Sequence, residues 1–370
     1  MGPGYSGART RLLRLLESYQ ELERRHDLVL FVRRDAGLAD WARSHEIECV
    51  PVDPPPRAEI RWLTGTRCWR RRLRAVRAGA FQAETLPLPR SLHVPMLATI
   101  HDLRAFELPT NRLSPRSLYA RTLLPRSLRR ARRIIAVSAT TRSGIVSELR
   151  CPKERVVVVP NGVDESELRI ADPERAGCFR DRFGLTGRFV LALGHLEPRK
   201  NLSLLVRALH LLREAPGFLD LSLVLAGRDE CGLSPRLSRE ARRLQVPLVL
   251  TGPISDQERA AALRSASCLA VPSRLEGFGM VPLEAMAVGC PVVGARAGAL
   301  PEVIGDAGLL VDPTSAEELA RELGRLLSDE DLVSRLKERG RIQAGRFRWK
   351  KSAELLRDVH DAVFSAESDS

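Results

Sequence analysis

The sequence predicts two doubly wound α/β domains, each a parallel sheet covered by helices, and three observations carry that prediction. The chain has 370 residues, more than one hydrophobic core commonly serves, and its 44% apolar and 28% charged composition is ordinarily globular. Short apolar runs without polar alternation recur along it, each followed by a segment whose apolar residues return at helical spacing. No run of about 18 apolar residues breaks the pattern, and the opening MGPGYSGARTRLL lacks the apolar stretch of a signal peptide. A soluble, cytoplasmic protein is expected.

Taken in chain order, the N-terminal half reads as helix at 8–24, then strands in DLVLFVR (27–33), PMLATIHDL (95–103), RRIIAVS (132–138) and RVVVVPNG (155–162). Helices are expected near 115–130 and 140–149. The polar stretch SELRIADPERAGCFRDRFGLTG, broken by Pro and Gly, reads as a linker at 166–187. Beyond it the alternation is clean: RFVLALG with NLSLLVRALHLLRE, LSLVLAG with SPRLSREARRL, PLVLTG with SDQERAAALRSA, and SCLAVPS with PLEAMAVG. PVVGA (291–295) and GLLV (308–311) follow as strands, and helices run from about 315 almost to the end. The expected organisation is an N-terminal domain over 1–165, a linker over 166–187, a C-terminal domain over 188–345, and a closing helix with a short disordered tail over 346–370.

Charge separates the halves. The net charge is +13, yet residues 171–370 are balanced at 28 basic and 28 acidic, whereas residues 1–170 hold 31 basic against 18 acidic. The excess is densest in CWRRRLRAVR (68–77) and RSLRRARR (126–133). Such a surface suits phosphate-bearing partners, an anionic membrane or an acidic acceptor, and it equally suits solvated helix faces. Neither run interleaves the aromatics of a single-strand reader, so nucleic acid is not expected as a partner. Seven scattered cysteines without a CxxC read as reduced thiols and suggest no zinc site.

In open α/β sheets ligands bind beyond the carboxyl ends of the strands, so the residues just after each strand carry the functional information. Here these are GHLEPRKN, GRDE, TGP, and PSRLEGFGM running into PLEAM. The last stretch, EGFGMVPLE (276–284), sets two carboxylates on either side of a Gly-Phe-Gly turn before a helix. Gly277 and Gly279 permit positive φ and close backbone approach, and the free amides ahead of Pro282 meet an anion. Pro282 is expected at the first helical position and Glu284 in the first turn. Acceptor-only carboxylates at Glu276 and Glu284 can each take a pair of hydroxyls, with Lys200 neutralising a diphosphate between them. Taken singly, Glu284 reads as a partner for the helix dipole and Glu276 as a residue of an open, solvated loop. Their coincidence with Gly-x-Gly, Pro and a strand-end lysine favours a ligand site.

These residues resemble the retaining glycosyltransferases of the family-4 type (glycosyl transferases group 1), which have the GT-B fold: two Rossmann-like doubly wound parallel-sheet domains facing across a cleft. The likeness is carried by VVVVPNGVD (156–164), LALGHLEPRKNLSLLVRAL (191–209), LVLAG (223–227), the run 250–293 around EGFGMVPLEAMAVG, and FRWKKSAELL (347–356). TIHDL (99–103) and AVSATTRSGIV (136–146) match N-domain patterns more weakly. By resemblance, Glu276 and His101 are the catalytic candidates, Glu276 holding the donor sugar's hydroxyls and His101 reaching the transferring sugar. The backbone of Gly277, Phe278, Gly279 and Met280 lies alongside, Glu284 binds the nucleotide ribose, Lys200 steadies the diphosphate, and Gly252 lies where the base packs. Gly194 ends the first strand of the donor domain. Asp102 and Gly7 fall on the acceptor side, though Asp102 alone reads as a helix cap.

The resemblance implies a nucleotide diphosphate sugar as donor, GDP- or UDP-linked, with the hexose tilted toward mannose by LEPRKN. It implies no cofactor and no metal, a glycan or lipid-linked acceptor, peripheral contact with an inner membrane face, and a closing helix that crosses back to the N-domain. Two departures stand out. His195 occupies the place of an arginine that commonly partners the lysine, with Arg199 adjacent as a substitute. The chain opens already in the glycine-rich loop, so the first N-terminal strand is expected to be missing through a mis-assigned start. The alternatives are a catalytically inactive GT-B binding protein, a nucleic-acid binder, and a GT-B epimerase or phosphorylase.

Overall fold

The computed structural model describes residues 7–53, 58–104, 119, 121–164 and 179–368. The chain divides into two compact units, residues 1–162 with 349–370 and residues 163–348.

The first unit runs α1 (Gly7–Gln20), β1 (Val29–Arg33), α2 (Ala39–Ser44), β2 (Glu48–Val52), α3 (Ala58–Ala75), β3 (Phe81–Ala83), β4 (Met96–Ile100), α4 (Leu124–Leu128), β5 (Arg133–Ala136), α5 (Ala139–Glu148) and β6 (Val156–Val158). Its strands pair in parallel in two sheets, β1-β2 and β3-β4-β5-β6. Trp69 of α3 links the two sheets, its ring centroid 5.3 Å from that of Phe31 in β1 and 4.9 Å from that of Phe81 in β3. The first described element is α1. Leu12, Leu15, Leu16 and Tyr19 bury one face of α1 at helical spacing. Ser138 caps α5, its Oγ accepting from Thr141 N at 2.9 Å.

The sequence reading anticipates four strands here; β2 and β3 are additional, as are α2 and α3. Of the helix expected at 115–130, Leu124–Leu128 is described as α4 and residues 115–118 and 120 lie outside the described residues. Of the linker expected at 166–187, residues 166–178 lie outside them too. Residues 179–187 pack into the second unit, where Phe179 and Leu185 are buried and the Phe179 ring lies 6.4 Å from Phe189.

The second unit begins its sheet with β7 (Phe189–Leu193), followed by α6 (Leu202–Arg213), β8 (Ser222–Ala226), α7 (Ser234–Arg243), β9 (Leu248–Gly252), α8 (Asp256–Ser265), β10 (Cys268–Val271), α9 (Met280–Ala287), β11 (Val292–Ala295), α10 (Leu300–Ile304), β12 (Leu309–Val311), α11 (Ala316–Ser328) and α12 (Glu330–Ala344). All six strands are parallel, in the order β12-β11-β10-β7-β8-β9. The apolar runs of the sequence are strands because both faces are covered: Val190, Leu191, Leu223, Val224, Leu269 and Val292 are fully buried. Burying each such side chain stabilises the fold by about 1.5–3 kcal/mol before entropy is counted.

The last helix, α13 (Trp349–Ser368), belongs to the first unit. Its His360 sits between Tyr19 Oη of α1, 3.0 Å from Nδ1, and Gln82 Oε1 of β3, 2.8 Å from Nε2. The described cysteines are free thiols, and no described helix is long and apolar enough to cross a membrane.

Candidate active site

In the second sheet β7 and β10 are neighbours, yet the chain leaves β7 for β8 and β9 on one side and leaves β10 for β11 and β12 on the other. The loops after β7 and β10 therefore diverge, opening a crevice at the carboxyl ends of the strands where such sheets bind ligands. Glu276, from the loop after β10, meets Lys200 and Arg199, from the loop after β7. Its Oε1 accepts from Lys200 Nζ at 2.8 Å and from Ser273 Oγ at 2.9 Å, and its Oε2 accepts from Arg199 Nη1 at 2.8 Å. Arg199 also donates through Nε to Glu197 at 2.7 Å, and its backbone carbonyl accepts from Arg274 N at 2.8 Å. Asn201, at φ +56, fixes the turn that presents both cations: its Nδ2 donates to Pro272 O at 3.1 Å and Pro313 O at 2.8 Å.

The expectation of an open, solvated loop at Glu276 is corrected. The side chains of Glu276 and Lys200 are each 12% exposed and that of Arg199 18%, because two cations from the neighbouring loop close over the carboxylate. The backbone is pinned as well, Glu276 O accepting from Ala299 N at 2.9 Å. Gly298 makes that approach possible, since a Cβ there would stand 2.5 Å from Glu276 O. Burial works to raise the Glu276 pKa, but Lys200 and Arg199 outweigh it and hold the carboxyl at about 2. A depressed carboxyl contributes stability above its ordinary value of about 4.3 and loses it as pH falls toward the folded value. Glu276 is therefore ionised throughout the neutral range.

Glu284 is also placed differently from expectation. Gly279, at φ +108, starts α9 at Met280, so Pro282 is the third helical residue and Glu284 the fifth. The carboxylate is thus not at the helix mouth, where it would merely complement the dipole. It is 6% exposed, its Oε1 accepting from Arg259 Nη1 of α8 at 2.7 Å while its Oε2 has no hydrogen-bond partner. A buried carboxylate oxygen left unpaired is costly and awaits a donor. Burial raises the Glu284 pKa above its ordinary value, with Arg259 opposing. Protonation removes the acceptor, so ligand affinity at this oxygen is expected to fall with pH through a range above that of an ordinary glutamate. Titrating a nucleoside diphosphate between pH 4 and 8 checks this, and in Glu284→Gln that pH dependence should vanish.

The remaining expected residues of the second unit lie at the end of β9 or in the segments that follow β7 and β10. Gly194, at φ +114, follows β7 and donates to Ala226 O at 2.9 Å; a Cβ on it would meet Lys200 Nζ at 3.4 Å. Gly252, at φ +68 at the end of β9, accepts from Gly227 N at 2.9 Å. Gly277 and Met280 lie in the Glu276 segment, but the Phe278 side chain turns into the core, edge-on to Phe347 at 5.6 Å, which leaves only its backbone to the loop. His195 Nδ1 lies 3.2 Å from Glu230, so it is Arg199 that accompanies Lys200 on Glu276. His195, Glu197 and Glu230 offer ligand atoms within 4.8 Å of one another and form the metal-capable group found among the described residues. Glu197 is engaged there by Arg199.

His101 and Asp102 lie in the first unit, just after β4. His101 Nε2 is 3.1 Å from Glu84 O and 3.7 Å from Glu84 Oε2, and burial lowers its pKa against the pull of Glu84. Asp102 Oδ1 accepts from Arg104 N at 3.1 Å, a local cap. Gly7 is the exposed first residue of α1.

Sequence reasoning missed Arg259 and Ser273. Arg259 was within reach: SDQE forms the capping box of α8, Ser255 with Glu258, and that register puts Arg259 on the first turn at the carboxyl edge of the sheet.

The family model "Glycosyltransferase Family 4" matches residues 5–167, and "Glycosyl transferases group 1" matches residues 179–343. A D-inositol 3-phosphate glycosyltransferase of Streptomyces bingchenggensis is 36% identical over 241 residues, 62% of this chain and 52% of that protein. The serotype-specific mannosyltransferase WbdA of Escherichia coli is 30% identical over 233 residues, 61% of this chain and 28% of that protein. The matches thus span between about a quarter and a half of these relatives' lengths. The crystal structure of HepE from Anabaena with UDP and glucose superposes with a TM-score of 0.77 at 20% identity, covering 98% of each chain, a likeness of fold.

Proposed function

This chain belongs to the family-4-type glycosyltransferases of the GT-B fold, and on that premise we propose that it moves a hexose from a nucleotide diphosphate sugar to a hydroxyl acceptor with retention of anomeric configuration. The observation that carries the reading is Glu276 braced by Lys200 and Arg199 at the β7/β10 switch point. Two cations beside one carboxylate suit a ligand with a diphosphate next to a polyol. On binding, the diphosphate shares Lys200 and Arg199, and the α9 amides behind Gly279 meet its remaining oxygens. Glu276, ionised and held in place, accepts from the sugar's hydroxyls. The free Glu284 Oε2 accepts from a ribose hydroxyl, with Arg259 fixing its partner oxygen.

In this reading the acceptor oxygen attacks the anomeric carbon on the face the diphosphate leaves. The C–O bond to acceptor forms as the C–O bond to phosphate breaks, and the acceptor proton passes to the departing phosphate oxygen. The mannosyltransferase name of one relative and LEPRKN tilt the donor toward GDP-mannose, while the UDP-bound neighbour supports a uridine nucleotide as the second choice. Exposed Arg67, Arg70, Arg71 and Arg74 along α3 suit an anionic membrane face carrying a lipid-linked or surface-polysaccharide acceptor. Incubation with GDP-mannose or UDP-glucose and a panel of glycoside acceptors, followed by NMR of the new anomeric proton, checks the proposal. The expected product has the donor's α configuration. A β product overturns retention, and donor binding without product on any acceptor would favour the inactive GT-B alternative.

A further inference from the structure

The first unit holds a second polar cluster at the carboxyl ends of its strands, and its hydrogen bonding is incomplete. Arg11, in α1, is 1% exposed. Its Nη1 donates to Asn161 Oδ1 at 2.6 Å and to Pro160 O at 3.2 Å, beyond β6, but its Nε and Nη2 have no hydrogen-bond partner. Glu84 directly follows β3. Its Oε1 accepts from Thr99 Oγ1 of β4 at 2.7 Å and from Gln82 Nε2, whereas its buried Oε2 has no hydrogen-bond partner. His101, directly after β4, lies beside Glu84 and is a quarter exposed, so the cluster reaches solvent at this residue. The charges are close enough to act on one another, Glu84 on Arg11 and both on His101.

Buried polar groups in folded proteins are almost always satisfied, so two idle donors and one idle acceptor in one cluster point to a missing partner. The partner's chemistry is constrained. A phosphate would gain from Arg11 but meet the Glu84 carboxylate, and an ammonium would gain from Glu84 but meet Arg11. A pair of neutral hydroxyls satisfies both, oxygen lone pairs taking the guanidinium donors while one O–H donates to Glu84 Oε2. We propose that Arg11, Glu84 and His101 form the acceptor subsite of this chain and that it takes an uncharged vicinal diol of a sugar or cyclitol ring. This deepens, and rests on, the reading of the first unit as the acceptor side. It separates two features of that unit: the arginine-rich face of α3 suits phosphate, whereas the strand-end cluster selects a neutral ring.

The test is equilibrium binding by saturation-transfer NMR on the full chain with methyl α-D-mannopyranoside and myo-inositol as neutral probes, mannose 6-phosphate as anionic and glucosamine as cationic counterpart. The neutral probes should bind, with the charged ones at least several-fold weaker. Glu84→Gln, which keeps shape and removes charge, should weaken the neutral probes about tenfold or more, and Arg11→Lys, which keeps charge and loses the fork, should weaken them similarly. GDP and UDP titrations read the second unit separately. Loss of nucleotide binding with intact diol binding would refute the donor reading and leave this subsite standing. No binding of either neutral probe, tighter binding of mannose 6-phosphate, or unchanged affinity in Glu84→Gln with circular dichroism intact would each overturn the subsite.

Discussion

Glu276→Gln should cut the rate of sugar transfer by about 10²- to 10³-fold, the loss typical of removing one charged group that stabilises a transition state. Its nucleotide affinity should not fall with the rate. The carboxylate occupies Lys200 and Arg199, each at 2.8 Å, and supplies one of the two negative charges that balance them, Glu197 on Arg199 being the other. Glutamine removes one negative charge from this pair of largely buried cations, leaving Arg199 its Glu197 and Lys200 no carboxylate, and a diphosphate is the ligand that restores the balance. UDP or GDP should therefore bind Glu276→Gln as tightly as the parent or more tightly, while turnover collapses. Steady-state kcat beside calorimetric nucleotide affinity checks the split; a parallel loss of both would show that Glu276 only builds the loop. Glu276→Ala is a poorer probe. It leaves Lys200 without its carboxylate at 12% exposure and Arg199, at 18%, with Glu197 alone, and breaking such a buried pair costs about 3–5 kcal/mol of stability. Inactivity in that variant will be mixed with unfolding, contrary to the intact fold that an open loop would have allowed.

Lys200→Met is expected to have the opposite signature. Methionine fills much of the volume of the lysine stem and removes the ammonium, so the diphosphate loses a charged partner that is almost wholly desolvated. Truncating one member of such a pair costs about 2–4 kcal/mol, or roughly 30- to 1000-fold in affinity. Arg199 remains on Glu276 and keeps the loop closed, so thermal stability should fall far less than in Glu276→Ala. The effect should be concentrated on diphosphates: UDP and GDP should weaken strongly, UMP and GMP little. Equal weakening of both classes would place Lys200 at the nucleoside rather than at the phosphates.

The second unit was legible because its physics is redundant. LVLA, buried on both faces and followed by glycine, can be little but a parallel strand, and the strand ends then name the site residues. The first unit offered less. β2, ECVPV, carries a proline and is half exposed, β3 is the three residues Phe81–Ala83 with polar Gln82 in its middle, and α3 contains RRR with no clear apolar stripe. Such elements exist because neighbours hold them, as Trp69 holds Phe31 and Phe81.

The same distinction divides the site. Glu276, Glu284 and Lys200 follow from strand-end logic and from family resemblance. The burial of Glu276 does not, because EGFGM reads as an open loop until Lys200 and Arg199 arrive from 76 and 77 residues away. The pairing of Glu284 with Arg259 depends on α8 approaching α9, and the idle atoms of Arg11 and Glu84 depend on α1 and β3 reaching one sheet edge. Tertiary approach, rather than local pattern, decides those.

The central claim is that the β7/β10 switch point holds a nucleotide through its diphosphate. Calorimetric titration of the full chain with UDP and GDP, against UMP and GMP, tests it most directly. The structure predicts that at least one diphosphate binds, that the matching monophosphate is at least about tenfold weaker, and that Lys200→Met erases the difference. Equal affinity for mono- and diphosphates, or no binding of either diphosphate by a folded protein, would contradict it.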